Sequence, residues 1–270
     1  MSAEDNRLVT EIGPSTGCGD LMRRYWQPAA LTEELGGERP VVRVRLLGED
    51  LVLFRNDDGT YGLIGRNCPH RGADLCFGRL EDGGLRCPFH GWLFDTNGQC
   101  REQPAEPPGS NFSRKINHTA YPCIERNGIV FAYMGPGNPP PLPAFDCFEA
   151  PDAFTFAFKG FVDCNWLQLN EVGIDPAHAS FLHRFFDDEP EEEGYGQQFR
   201  FSTEENEMAI TKVLREYDCP EIDIEQTETG IRIYALRQMN DEEMHVRITN
   251  QIFPNAIIIP ISNEIMLTQW

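Results

Sequence analysis

The sequence predicts an α+β protein of two successive domains, each built mainly on antiparallel strands. Residues 41–65 alternate apolar and charged side chains at the period of a half-buried strand. A Gly/Pro-rich interval at 135–143 then stops both helix and central strand. Beyond it lies one helical region and a long series of strand-like segments. A chain of 270 residues suits two cores better than one.

In order, Val42, Val44 and Leu46 alternate against Arg43 and Arg45, an apolar run fills 51–54, and Asp58-Gly59 supplies hairpin-turn chemistry before a strand at 61–64. Residues 128–133 form a further strand. The boundary is placed at the proline-rich interval, giving domains 1–145 and 146–270. A strand-like stretch at 155–162 precedes a helical region at 165–186, interrupted near Gly173 and restarted at Asp175-Pro176. There the carboxylate caps free amides and Pro suits the first helical position. The acidic run 187–193 reads as a solvated loop, and strands follow at 222–224, 231–236, 246–252 and 257–261. Residues 264–270 are still strand-like at the last residue, which reads as an interrupted domain.

Apolar residues at 40% with 11% aromatics support packed cores. The formal net charge of −20 argues against nucleic acid and anionic lipid as partners. A basic electron-transfer partner would be attracted, although most such charge is simply solvated. The polar, acidic opening lacks a secretory signal and no segment has the make-up of a membrane span, so a cytoplasmic protein is expected. Nine Cys, odd in number and scattered, do not form a disulfide framework; some should be metal ligands.

Cys68-Pro69-His70 and Cys87-Pro88-Phe89-His90 form two ligand loops, Cys-x-His and Cys-x-x-His, with sixteen residues between His70 and Cys87. Two thiolates and two imidazoles suit a 2Fe-2S centre in which one iron takes both Cys and the other both His. Structural zinc is the alternative. Common zinc patterns put both Cys in one knuckle and both His in the other, whereas each loop here mixes them. Arg71-Gly72-Ala73 and Gly91-Trp92 place small residues where amides must approach sulfide.

The stretches Asn67-Cys68-Pro69-His70-Arg71-Gly72-Ala73-Asp74-Leu75 and Arg86-Cys87-Pro88-Phe89-His90-Gly91-Trp92 closely resemble the Rieske domain of ring-hydroxylating oxygenases. Respiratory Rieske proteins carry an extra Cys in each loop, where this chain has Ala73 and Phe89. Cys18, Cys76, Cys100, Cys123, Cys147, Cys164 and Cys219 match no ligand slot and read as small buried hydrophobes. The stretch Gly19-Asp20-Leu21-Met22-Arg23-Arg24-Tyr25-Trp26-Gln27-Pro28 is similar to the entry into the Rieske domain of phthalate dioxygenase-like enzymes.

His178 and His183 lie five residues apart in an apolar context. Alone, the pair reads more readily as packed or surface His, because five residues diverge by about 140° on an ideal helix. The same oxygenases carry Asp-x-x-His-x-x-x-x-His as their mononuclear-iron motif, in this chain order, so the resemblance implies that His178 and His183 are Fe(II) ligands. Asp175 has a helix-capping role, and the resemblance adds a bridge to a cluster His of the neighbouring subunit. His118 and His245 fit neither motif and read as structural or surface residues. Arg200, Arg215, Arg232 and Arg237 read as outward-facing strand residues, with carboxylate holding as their other use.

The resemblance implies an antiparallel Rieske domain followed by a helix-plus-antiparallel-sheet domain of helix-grip type, incomplete here. It also implies a homotrimer or hexamer, electrons from an NADH-dependent reductase or a ferredoxin, and O2 with a small aromatic substrate. The family's third iron ligand is an acidic residue far downstream, more distant than the 87 residues after His183, and none is assigned. Glu264 and Asp241 are not promoted to that role. A pure electron carrier with a docking module is the competing class, and an O-demethylating monooxygenase is the variant reading.

Overall fold

A computed structural model describes residues 1–182, 213, 214, 216–261 and 266–270. The chain divides into two compact units, Met1–Phe161 and Val162–Trp270.

The first unit opens with α1 (Ala3–Thr10), capped by Ser2, and α2 (Gly17–Met22), capped by Thr16. Its strands are β1 (Gln27–Leu31), β2 (Val41–Leu46), β3 (Glu49–Arg55), β4 (Tyr61–Gly65), β5 (Arg79–Glu81), β6 (Gly84–Arg86), β7 (Leu93–Asp95), β8 (Cys100–Glu102), β9 (Ala120–Tyr121), β10 (Cys123–Arg126) and β11 (Ile129–Ala132). A short helix α3 (Asp146–Glu149) follows. The strands make three antiparallel sheets, β2-β3-β4-β9, β5-β6-β7-β8 and β1-β11-β10. As expected at Asp58-Gly59, the β3–β4 connection is tight: Gly59 N–H donates to Asn56 O and the Asp58 carboxylate accepts from Thr60 N–H. Val52, Phe54, Ile64, Leu75, Leu85 and Phe94, all fully buried, form one core with Cys68 and Cys87.

The second unit contains α4 (Trp166–Ile174), α5 (Ala179–Leu182) and one antiparallel meander of β12 (Glu221–Gln226), β13 (Gly230–Gln238), β14 (Met244–Ile252), β15 (Ala256–Pro260) and β16 (Met266–Gln269), in that order. The strands expected at 222–224, 231–236, 246–252 and 257–261 are present. Asn165 caps α4 through Leu167 N–H, and the helix lies against β14 and β15.

Four expectations change. Residues 135–143 and α3 belong to the first unit, with Phe148 packed 5.6 Å from Phe131, so the units divide at 161/162, beyond the expected boundary at 145/146. The stretch 155–162 joins no ladder; it is tied by side chains instead, Asn127 to Thr155 and Lys159 to Glu34. Helix α4 runs through Gly173, which sits against Ile257 and Gln269, and ends one residue later. Asp175 is its C-cap, with an extended backbone (φ −74°, ψ 116°). The ring of Pro176 excludes the helical region for the preceding residue, so the next helix starts only at Ala179. The loop expected at 187–193 lies outside the described residues.

Candidate iron centres

Both ligand loops are the same turn. In the first, Cys68 N–H donates to Ala73 O at 2.8 Å and Gly72 N–H to Cys68 O at 2.8 Å. In the second, which joins β6 to β7, Cys87 N–H donates to Trp92 O at 2.8 Å and Gly91 N–H to Cys87 O at 3.1 Å. The residue before each Cys clamps its loop, Asn67 Nδ2 to Gly72 O at 3.0 Å and Arg86 Nη1 to Gly91 O at 2.8 Å. Gly72 (φ 69°) and Gly91 (φ 72°) turn in the left-handed region, where a side chain would be strained.

These turns bring the thiols together inside and the imidazoles together outside. Cys68 and Cys87 are each 2% exposed, and their thiols lie within hydrogen-bonding reach of one another. Burial and the neighbouring Cys87 raise the Cys68 thiol, while the amides of His70 and Arg71 pull it the other way. Two facing buried thiolates need cations to stabilise them, and amides aimed at sulfur suit a cluster ligand. The His70 and His90 rings are 4.5 Å apart at the surface. Burial, then the His70 ring and Arg71, hold His90 below the usual imidazole range, which favours the neutral form that ligates metal. Among the described residues no three His, Cys, Asp or Glu side chains gather at one point; the donors form two pairs. A 2Fe-2S cluster takes two protein ligands on each iron, so this donor set fits it.

The loops are held by opposite charges. The Asp74 carboxylate, after the first loop, accepts from Arg43, twice from Arg66, and from Cys76 N–H. Arg86, before the second loop, is 7% exposed and pairs with Glu81 and Glu102. Trp92 stacks on His70 at 4.6 Å with a 6° interplanar angle, fixing the ring's plane. Of the Cys outside the loops, Cys18 and Cys100 are buried as expected, but Cys164 and Cys219 are exposed; all nine are free.

In the second unit, Asp175 Oδ2 lies 3.5 Å from His178 Nδ1, and Asp175 Oδ1 accepts from Ala177 N–H at 2.8 Å. The carboxylate that closes α4 thereby meets the ring three residues on. His183, Glu264, Arg200 and Arg215 lie outside the described residues, so the expected His pair is placed only at His178.

The Rieske [2Fe-2S] domain family matches residues 25–122. The likeness runs beyond that domain: the chain is 38% identical over 259 residues to the tert-butanol monooxygenase / tert-amyl alcohol desaturase oxygenase subunit of Aquincola tertiaricarbonis, covering 94% of this chain and 52% of that protein. It is 37% identical over 270 residues to the phthalate 4,5-dioxygenase oxygenase subunit of Pseudomonas putida, covering 97% and 59%. The chain carries a Rieske [2Fe-2S] domain. It spans little more than half the length of these curated relatives. The oxygenase of carbazole 1,9a-dioxygenase, solved in complex with its ferredoxin, shares the fold with a TM-score of 0.63 and 19% identity, covering 98% of this chain and 69% of that one.

The chain also holds features that sequence reading missed. Arg237, expected to face outward, is 1% exposed, and its guanidinium donates to Tyr217 O and Pro176 O. Arg232 does face outward, paired with Glu225. The distinction is one of strand parity, which Arg alone does not announce in a strand with apolar residues on both faces. His118 is structural as expected, its Nε2 meeting Gly65 O at 2.7 Å. Among the described residues no helix is long and apolar enough to cross a membrane.

Proposed function

We propose that this chain is the oxygenase component of a Rieske oxygenase, with Cys68, His70, Cys87 and His90 holding the 2Fe-2S cluster and His178 and His183 holding a mononuclear Fe(II). The observation that carries the reading is the buried thiol pair and surface imidazole pair on two like loops, in a chain that also sets Asp175 against His178. When bound, the two centres supply one-electron storage and oxygen activation beside an aromatic substrate. Cys68 and Cys87 would hold the cluster from the buried side, and His70 and His90 would hold it from the surface. Asp175 orients the His178 ring and raises its basicity. It also serves as the link to a cluster imidazole of a neighbouring subunit.

The reaction is hydroxylation of an aromatic substrate, carboxylated in our reading, with oxidative O-demethylation as the variant outcome. Electrons come from an NADH-dependent reductase or a ferredoxin, the assembly is a homotrimer or hexamer, and the site of action is the cytoplasm. Iron analysis of the purified full-length protein separates the readings. About three irons per chain, with oxygen uptake driven by NADH and a reductase, support the oxygenase; about two would make it an electron carrier.

Asp175→Asn tests the link itself. The cluster spectrum and its reducibility should persist while single-turnover electron delivery slows by roughly tenfold or more. An unchanged rate would leave Asp175 as the cap of α4 alone.

A further inference from the structure

Gln103 follows β8 directly, and the register of that strand carries it to the mouth of the second ligand loop. Leu93 pairs with Glu102, so the next step of the ladder sets Gln103 opposite Trp92, whose carbonyl accepts from Cys87 N–H. One residue further, the ring of Pro104 lies 3.2 Å from where a Cβ on Gly91 would stand. Successive side chains of a strand point to opposite faces. Glu102 turns outward to Arg86, and Gln103 turns inward beside the thiol of Cys100, which shares one core with Cys68, Cys87 and Trp92.

The end of the Gln103 side chain is buried and unused. Neither Nε2 nor Oε1 has a hydrogen-bond partner of normal geometry among the described residues. A buried amide left unbonded is costly, and such a group calls for a partner that accepts from it. Cys100 is a poor one. Burial raises its thiol to about 11, against the pull of the Glu102 N–H and of Gln103 itself, so at neutral pH it stays a protonated, weakly accepting sulfur. Cys87, at the base of the same loop, is 2% exposed and is the inward ligand of the proposed cluster. A thiolate bound to iron, and the sulfide beside it, carry negative charge and take hydrogen bonds from amides.

We infer that the Gln103 side-chain amide donates from Nε2 to a sulfur of the 2Fe-2S cluster on its Cys87 side, and that this contact tunes the cluster's potential. Reduction adds negative charge, so a donor aimed at sulfur stabilises the reduced form more than the oxidised one and raises the potential. Pro104 fixes the backbone that carries the donor. The inference rests on the cluster reading and is independent of the oxygenase reading.

The test is a potentiometric titration of the full-length protein, followed by the visible absorbance of the cluster, in wild type, Gln103→Met and Gln103→Leu. Met keeps the length and shape of the side chain without a donor, and Leu is a second apolar replacement should Met pack badly. Each should move the reduction equilibrium about tenfold towards the oxidised form, which for one electron is a potential about 59 mV lower. The sign separates a lost donor from a loosened site, because water admitted to the cluster would favour the more charged, reduced form and raise the potential. A thermal melt and the iron content check the folding and loading of each variant. An unchanged or raised potential in a folded, cluster-bearing variant would overturn the contact and leave Gln103 bonded to water alone, with the four ligands untouched. A wild-type protein without the cluster's absorbance would remove the cluster reading, and the contact with it.

Discussion

Asp74 accepts four hydrogen bonds on one carboxylate, three of them from arginine. Burial raises its pKa, but the bonds from Arg66, Cys76 N–H and Arg43 outweigh that and hold it below the usual carboxylate range. A group whose pKa is depressed by folding stabilises the fold fully above its unfolded value, about 3.9, and loses that contribution as pH falls through the folded value. Asp74→Asn should therefore destabilise the first unit by roughly 1–3 kcal/mol at neutral pH and flatten its loss of stability between about pH 5 and 2. Denaturant unfolding across that range checks it; parallel acid slopes in wild type and variant would assign the acid transition to another group. Little of this was legible in the sequence. Asp74 entered only as part of the motif, because its partners Arg43, on β2, and Arg66, just past β4, reach it only once the sheet has formed.

At the scale of the element, the second ligand loop depends on the spacing of β6 and β7. A Cβ on Gly84 would lie 2.3 Å from Phe94 O, a backbone atom that cannot step aside without moving β7. Gly84→Ala should spread the two strands at the base of the Cys87 loop, costing about 1–3 kcal/mol and making the cluster more labile. Bleaching rates of the visible absorbance in urea measure this, and a wild-type rate would show that the strands absorb the methyl freely. β2 was readable because its alternation of Val and Arg matches one buried face, and β3 because its apolar run is buried on both faces. The helix restart was not, because Asp-Pro fits both a start and a stop. Here Asp175 closes α4, and the ring of Pro176 decides the outcome.

Across the whole molecule, each unit has its own sheets, and the core that holds Cys68 and Cys87 lies entirely within the first. Residues 1–161 expressed alone should fold and take up a cluster with an unaltered absorption and paramagnetic spectrum. A fragment that stays unfolded would mean that the second unit supplies part of the first unit's stability. The cluster motif was legible because its ligands are local in sequence. The placing of Arg237, His245 and Arg247 on one face of the second sheet was not, since it arises from the register of β13 and β14.

The two ligand turns share one backbone design but have inverted anchors, a carboxylate among arginines for the first and an arginine among carboxylates for the second. Disassembly should therefore have a direction. One proton on Asp74 undoes the first anchor at its centre. Arg86, by contrast, has three carboxylates to lose, Glu81, Asp82 and Glu102. In acid the Cys68–His70 side should let go first, leaving a half-released intermediate still tethered by Cys87 and His90.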